Sequence, residues 1–238
     1  MQARWIAGLS LAFGVFAASL ANAATIGGLT ANSLEAWNQA GGVGAPTVLT
    51  CDDFSLSAPT GSALNTRPVR AAAKCGSGTW TVHRGTWTIS SGLLQASTSD
   101  ATATINAGQT NISAQATITN ANGGSRIAGV AIDHTGATRI YLVGALSGPG
   151  TAQLRLVNGG TVTVLASASA TITATTTVRI TRNGATVTVS VNGVQALSFT
   201  LTSAQQTTLA GGTRVGLYWN SGNSIRFTNI LATTPYSP

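Results

Sequence analysis

Apolar and polar residues alternate with a period of two through most of the chain, most clearly in VRITRNGATVTVSVNGVQALSFTL at 178–201. Val178 and Ile180 fall on one face, followed by Val187, Val189 and Val191 and then by Leu197, Phe199 and Leu201, with Thr and Ser between them. That period is the signature of strands with one buried face. Asn183-Gly184 and Asn192-Gly193 accept the positive φ of type I′ turns, so the segment predicts a three-stranded meander. Similar runs occupy 48–54, 79–85, 86–92, 93–98, 101–107, 112–119, 126–133, 138–146, 152–158, 161–170, 213–220 and 224–232. Gly and Asn turns separate them, and only 204–212 reads as a helical turn. The expectation is an all-β fold, a two-sheet antiparallel sandwich or jelly roll.

The N-terminus breaks this pattern. MQARWIAGLSLAFGVFAASLANAA carries Arg4, then an apolar run from Trp5 to Leu20, then the small-x-small triplet Ala21-Asn22-Ala23. This is the layout of a secretory signal peptide cut after Ala23, and its apolar run is shorter than the roughly 20 residues that span a bilayer. The expected organisation is therefore a signal peptide over 1–23, a Gly-rich lead-in over 24–47 and one domain over 48–238. Within the lead-in, Asn32 and Glu35 suit a capped helical turn, and Trp37 is a candidate anchor.

Charge changes the picture modestly. The chain has 12 Lys and Arg against 5 Asp and Glu, a formal net charge of +7. Such a balance attracts acidic partners, anionic wall polymers and glycans included. The arginines are nevertheless spread at about one per expected strand, without the dense basic patch that nucleic-acid binding uses. Cys51 and Cys75 are the two cysteines, both in the part expected to be exported, and predict one disulfide. Closing that loop would stabilise the fold by about 3 kcal/mol on the chain-entropy model.

Five blocks together resemble the concanavalin A-like lectin/glucanase superfamily in its laminin-G-like form, known from exported bacterial proteins. They are CDDF at 51–54, GTWTVHRGTWTISSGLLQA at 78–96, RIAGVAIDHTGATRIYLVG at 126–144, the meander, and GTRVGLYWNSGNSIRFTNILA at 212–232. The resemblance implies a jelly-roll sandwich in which DDF near the start pairs close to RFTNI near the end. It spans lectins, glycan-binding modules, adhesion domains and glycoside hydrolases, so it bounds the ligand only to a broad class.

Hydrolases of that superfamily carry paired acids, often Glu-x-Asp-x-x-Glu, whereas the only glutamate here, Glu35, precedes the domain. Asp52 and Asp53 are adjacent and point to opposite faces of a strand, which denies them the shared geometry a two-carboxylate mechanism needs. No serine-hydrolase elbow or phosphate-binding loop occurs. His134 beside Asp133 reads as turn chemistry, and His83 is expected to be exposed on a strand. No cofactor is implied. Calcium, found in many relatives, would fall to Asp52 or Asp53.

Aromatic faces flanked by hydrogen-bonding groups suit glycans. Two patches qualify: Tyr218-Trp219-Asn220 with Asn223, and Tyr141 with Arg139 and Arg126. If Val215 and Leu217 face inward, Trp219 joins them and Tyr218 points out; the opposite register exchanges the two. Trp80 and Trp87 are assigned to packing. The expected function is a secreted or surface-held, non-catalytic module binding a glycan or cell-wall polysaccharide, with anionic polymers among the candidates. The first rival is a structural surface or matrix component that assembles with other chains, and the second is a glycoside hydrolase.

Overall fold

The computed structural model describes residues 46–54, 62–69, 75, 78–122, 126–221 and 224–235, together with the backbone of residues 25–26 and 29–30. The signal peptide, its cleavage at Ala23 and the lead-in side chains Asn32, Glu35 and Trp37 lie outside the described residues. Upstream, β1 (Thr25–Ile26) and β2 (Leu29–Thr30) pair antiparallel. The strands that follow are β3 (Val48–Asp52), β4 (Ser62–Ala63), β5 (Thr81–Arg84), β6 (Trp87–Ser90), β7 (Leu93–Ala96), β8 (Ala101–Asn106) and β9 (Ile112–Thr119). Next come β10 (Ile127–His134), β11 (Tyr141–Ser147), β12 (Thr151–Asn158) and β13 (Thr161–Ser169). The meander is β14 (Thr175–Asn183), β15 (Thr186–Val191) and β16 (Val194–Thr200), followed by the helix α1 (Ser203–Thr208), β17 (Arg214–Ser221) and β18 (Arg226–Thr233).

These strands form two antiparallel sheets packed face to face, the jelly-roll sandwich expected from the pattern. A seven-stranded sheet runs β13-β12-β11-β10-β17-β8-β5, and a nine-stranded sheet runs β16-β15-β14-β9-β18-β7-β6-β4 with β3 also on β18. Non-local pairing closes the fold: β18 meets β7 through Phe227 and β3 through Ile230 to Thr233, so Asp52 lies opposite Ile230. The expected proximity of DDF and RFTNI is realised in this pair.

Alternation explains the shared core. From the nine-stranded sheet come Ile112, Ala114, Ala116, Ile118, Val178, Ile180, Val187, Val189 and Phe227; the seven-stranded sheet answers with Ile105, Val130, Ile132, Leu142, Leu154, Val215, Leu217 and Trp219. Trp80 and Trp87 are buried there too, as their expected packing role requires. The meander forms one end of its sheet, with β16 at the edge. Its second turn has Asn192 and Gly193 both at positive φ, as expected, but the first turn uses Gly184 and Ala185, with Gly184 alone in positive φ. Asn183 remains in the ladder opposite Thr186, which gives the φ pattern of a type II′ turn. Thr202 and Gln205 cap α1 reciprocally, fixing the helical turn between β16 and β17.

Two buried ion pairs tie the layers together. The Asp52 carboxylate, fully shielded, accepts from Arg67 at 2.5 Å, from the Trp80 indole at 2.7 Å and from the Phe54 amide at 3.0 Å. These donors occupy both carboxylate oxygens, which removes Asp52 as a calcium candidate; Asp53 is half-buried just past the strand. Across the sandwich, Arg182 on β14 donates to Asp133 on β10 at 2.5 Å. Arg155 is buried as well. The Cys51–Cys75 disulfide is present, with Cα atoms 5.1 Å apart.

Removing one partner of a buried pair leaves an uncompensated charge. Arg67→Ala should therefore lower unfolding free energy by about 3 kcal/mol or more. Arg84→Ala should cost less than about 1 kcal/mol, because that side chain is 51% exposed at its 3.5 Å approach to Asp100. Urea denaturation of both variants checks the contrast, and equal costs would contradict the structural role given to Asp52.

Candidate functional site on the outer face of the seven-stranded sheet

Residues that alternate with the core positions of the seven-stranded sheet point away from the nine-stranded one. On β17 they are Arg214, Gly216 and Tyr218, set opposite Asn106, Thr104 and Thr102 of β8. Tyr218 also faces Gly129, and Gly216 faces Ala131. Further across, Ala131 lies opposite Val143, Gly129 opposite Ala145, Val143 opposite Arg155, and Tyr141 opposite Val157. The floor at the middle is thus made of small residues. A Cβ at Gly216 would come 1.9 Å from the Ala103 carbonyl oxygen, and one at Gly129 would come 2.1 Å from that of Gly144. Glycine is required at both places by the approach of the neighbouring strand.

Over this floor lie four aromatic rings. His83 stacks on His134 with centroids 4.1 Å apart, His134 on Tyr141 at 4.7 Å, and Tyr141 meets Tyr218 in a tilted contact at 6.3 Å. His83 Nε2 is 2.8 Å from the Thr104 hydroxyl, and the Tyr141 hydroxyl is 3.0 Å from that of Thr102. A kink in β10 positions His134: the pairing with β17 shifts between Ala131 and His134, and Asp133 takes φ +55°. The Gly136 amide then donates to His134 Nδ1 at 2.9 Å, which makes that nitrogen the acceptor and assigns the proton to Nε2.

Around the rings sit guanidinium groups. Arg139 donates to Asp100 at 2.6 Å. Arg214 donates to the hydroxyls of Thr104 and Thr81, each at 2.7 Å, and Arg155 donates to Gln153 Oε1 at 2.8 and 2.5 Å. Burial, together with the positive charge of Arg214 and Arg139, pushes His83 down to about 4. His134 is driven lower still, to about 3, by burial first, then His83 and the same arginines. Burial raises Tyr218 to about 12 and moves Tyr141 in the same direction. Both histidines are consequently neutral at pH 7, and both tyrosines are protonated.

Several polar atoms here are shielded from water and make no hydrogen bond: His134 Nε2, the Tyr218 hydroxyl, Arg139 Nε and Asp100 Oδ1. Such groups are uncommon in folded proteins, because each forfeits its hydration without return. The centre of the face is closed, with His134, Tyr141 and Tyr218 at zero exposure, while its margins are open at Arg84 on one side and Val162 and Val164 on the other.

The structure separates the residues expected to form binding patches. Val215 and Leu217 do face inward and take Trp219 with them, so Trp219 packs in the sandwich core and is corrected from ligand platform to core residue. Tyr218 lies on the opposite face, against Tyr141, which in turn meets Arg139, joining halves of two patches that the sequence kept apart. Neither tyrosine is an exposed platform. Arg126 lies at the far end of the β10–β11 hairpin, roughly 20 Å along the strands from Tyr141; its guanidinium donates to the Asn120 carbonyl, and it leaves the patch. Asn220 falls at the irregularity near that same end, and Asn223 lies outside the described residues. His83 is half-buried and His134 fully buried, correcting the exposed-strand and turn readings.

His83, His134, Thr102, Thr104, Arg155 and Arg214 were not anticipated as site residues. A signal existed: IAGVAI and YLVGAL at the heart of β10 and β11 are continuous apolar or small runs, the mark of strands covered on both faces. Among the described residues no group of three His, Cys, Asp or Glu could hold a metal, and no helix is long and apolar enough to cross a membrane.

No family model matches the chain, and no curated protein matches it in sequence. Solved structures share its fold. The carbohydrate binding module CBM66 from Bacillus subtilis superposes with a TM-score of 0.50 at 12% identity, covering 63% of this chain and 92% of that one. A protein of unknown function with a galectin-like fold, also from Bacillus subtilis, gives 0.51 at 11%, covering 75% and 99%. The GH43 protein BlXynB from Bacillus licheniformis gives 0.52 at 15%, covering 78% of this chain but only 39% of its own. These likenesses show the fold alone, and the expected jelly-roll sandwich holds.

Acidification should unfold the protein through its histidines. Their folded pKa values of about 4 and about 3 lie below the ordinary 6.5, so the stability tied to their neutral forms is complete above 6.5 and is lost as pH falls towards those values. Asp133, raised by burial from 3.8 to about 6 despite Arg182, acts oppositely, favouring the fold as pH falls between those values. Two histidines titrating over wider intervals should outweigh it. The urea midpoint should drop between pH 7 and pH 4.5, and His134→Asn, whose amide can still accept from Gly136, should flatten the profile. An unchanged midpoint in the native protein would contradict the assignment.

Proposed function

We propose that the protein is a secreted, non-catalytic glycan-binding module of laminin-G-like type, and that the outer face of the seven-stranded sheet is its recognition surface. The observation that carries this reading is the row His83–His134–Tyr141–Tyr218, whose rings lie over a floor of small residues among hydrogen-bonding groups that lack partners; because the centre of this face is closed, a sugar reaches the row only when the face opens from its margins. Sugars present alternating apolar faces and hydroxyls, and a site for them combines aromatic surface with fixed donors and acceptors. Arginines supply donors, Asp100 Oδ1 an acceptor, and the Tyr218 hydroxyl and His134 Nε2 a further polar edge. The fold shared with a carbohydrate binding module supports the reading.

The carboxylates favour holding over cutting. Asp52, Asp133 and Asp100 are each engaged by arginine, at three different places in the fold. A general acid needs a protonated carboxyl and a second carboxylate across the scissile bond. Asp133 has the raised pKa of such an acid, but it is buried between the sheets against Arg182 and away from the ring row. The one disulfide suits an oxidising, extracellular setting.

Tyr218→Phe separates binding from folding. It deletes a hydroxyl that is buried without a partner, so thermal stability should hold or rise, while affinity for a polysaccharide found on a glycan array should fall at least about tenfold, the loss of roughly 1.4 kcal/mol. Calorimetry and thermal melts read the two effects. Unchanged affinity would remove this face as the site, and an array without any binder would remove the glycan reading.

Assembly with other chains is the second reading, favoured by the edge strands. β13 and β16 end their sheets and carry the exposed Val162, Val164 and Val194, the last 71% exposed. Open apolar edges invite pairing between chains. If this reading holds, sedimentation should show concentration-dependent oligomers that Val164→Lys disperses; a monomer at all concentrations would reject it.

A further inference from the structure

We infer that a latch shuts the outer face: the Arg139–Asp100 ion pair, backed by the hydrogen bond between Tyr141 and Thr102. Its release lifts Tyr141 off His134 and bares the trough of small residues beneath. That the trough then admits a saccharide rests on the glycan-binding reading; the latch itself stands on the contacts alone.

These contacts form a roof, because each skips over strands that lie between its partners. Through this region the sheet runs β11-β10-β17-β8-β5. Tyr141 opens β11 and Thr102 lies on β8, yet their hydroxyls are 3.0 Å apart across β10 and β17. Arg139, two residues before β11, reaches Asp100, which immediately precedes β8, at 2.6 Å. His83 of β5 and His134 of β10 stack at 4.1 Å with β8 and β17 between their strands. All three contacts cross β17, and none joins neighbours in a ladder. Arg139 also meets the Tyr141 hydroxyl, so one guanidinium touches both of the polar bridges.

The roof is poised to come apart at its ionic contact. The side chains of Arg139 and Asp100 are 20% and 19% exposed, whereas Tyr141 and His134 have no exposure, so water reaches the pair before it reaches the rings. One nitrogen–oxygen contact joins the pair, without the bidentate geometry that makes such pairs strong. Each partner also holds an orphan, since Arg139 Nε and Asp100 Oδ1 are shielded and make no hydrogen bond. Opening returns both atoms to water, together with His134 Nε2, and relieves their desolvation. Asp100 has a second cation in reach, Arg84 at 3.5 Å on the open margin, so its charge keeps a partner when Arg139 leaves.

The backbone around the latch is held rather than relaxed. Asp133 and Arg139 bracket the hairpin between β10 and β11, at φ +55° and +50°. Non-glycine residues keep such conformations only where the surrounding contacts impose them. Between these two the hairpin tip is tied to itself: the Thr135 amide donates to the Ile140 carbonyl at 3.0 Å, and the hydroxyls of Thr135 and Thr138 are 2.6 Å apart. The tip can therefore shift as a unit once Arg139 no longer fastens it to the far side of the sheet.

Carbethoxylation of His134 by diethylpyrocarbonate reads the opening without any saccharide, because a ring with no exposure reacts only in molecules whose roof has lifted. Its rate, followed by peptide mass spectrometry on the purified protein below the unfolding transition, should hardly change with urea. A local opening exposes little new surface, whereas global unfolding carries the full denaturant slope. Asp100→Asn keeps an acceptor oxygen but drops the latch charge, and Thr102→Val deletes the buried bond to Tyr141; each should speed labelling at least about fivefold. Should one variant not fold, the other and the native urea slope carry the test. Native labelling with the full unfolding slope, or variants that label no faster than the native protein, would overturn the latch and make the ring row a permanent part of the core. Urea-independent labelling, accelerated in the variants, in a protein that binds nothing on a glycan array would keep the latch and overturn the glycan reading alone.

Discussion

Desolvation of the outer face of the seven-stranded sheet is the constraint from which the chemistry of this protein follows. A sheet in a sandwich ordinarily buries one face and wets the other, yet here Tyr141, Tyr218, His134, Thr102 and Thr104 on the outer side have no exposure. Removing water from that side holds the histidines neutral and the tyrosines protonated. Close packing needs a flat floor, which Gly129, Ala131, Ala145 and Gly216 provide. The glycines cannot be replaced, because the neighbouring strand's carbonyl occupies the space of a side chain.

Carboxylates divide the molecule into a part that is finished and a part that is not. Asp52 joins β3, Arg67 and Trp80, and Asp133 joins the two sheets through Arg182; both are internal fastenings in which the positive partner is matched. On the outer face the matching stops. One aspartate serves Arg139 and Arg84, and the remaining two guanidiniums have neutral company. A chain so poor in acids has placed most of the described ones where they secure the fold.

Much of the fold was legible because the alternation is local. The runs at 112–119, 161–170 and 224–232 became β9, β13 and β18 with ends shifted by two residues at most, and of the two facings left open for β17 the one with Val215 and Leu217 inward is adopted. Pairing between distant strands was legible only through the resemblance that joined DDF to RFTNI. The first Asn-Gly turn was misplaced by one residue because Asn183 fits the ladder as well as the turn. The site was less legible, for a physical reason. A period-two pattern says which residues share a face but not that the solvent side will be buried, so His83 and His134 read as surface groups. Their stacking depends on the kink at Asp133, which brings His134 opposite Arg214 and has no sequence signature beyond a positive φ in a non-glycine residue. Trp219 illustrates the converse: a large aromatic beside a polar turn looks like a ligand platform until its strand register sends it into the core.

The most direct test of the account is where a bound saccharide perturbs the protein. Side-chain nitrogen NMR of His83 and His134 during titration with a polysaccharide that binds should show both imidazoles shifting together, with His134 Nε2 gaining a hydrogen-bond partner. Unmoved histidines at saturation, with perturbations gathered instead at the groove between Ser169 and Gln195, would place recognition elsewhere and contradict the central claim.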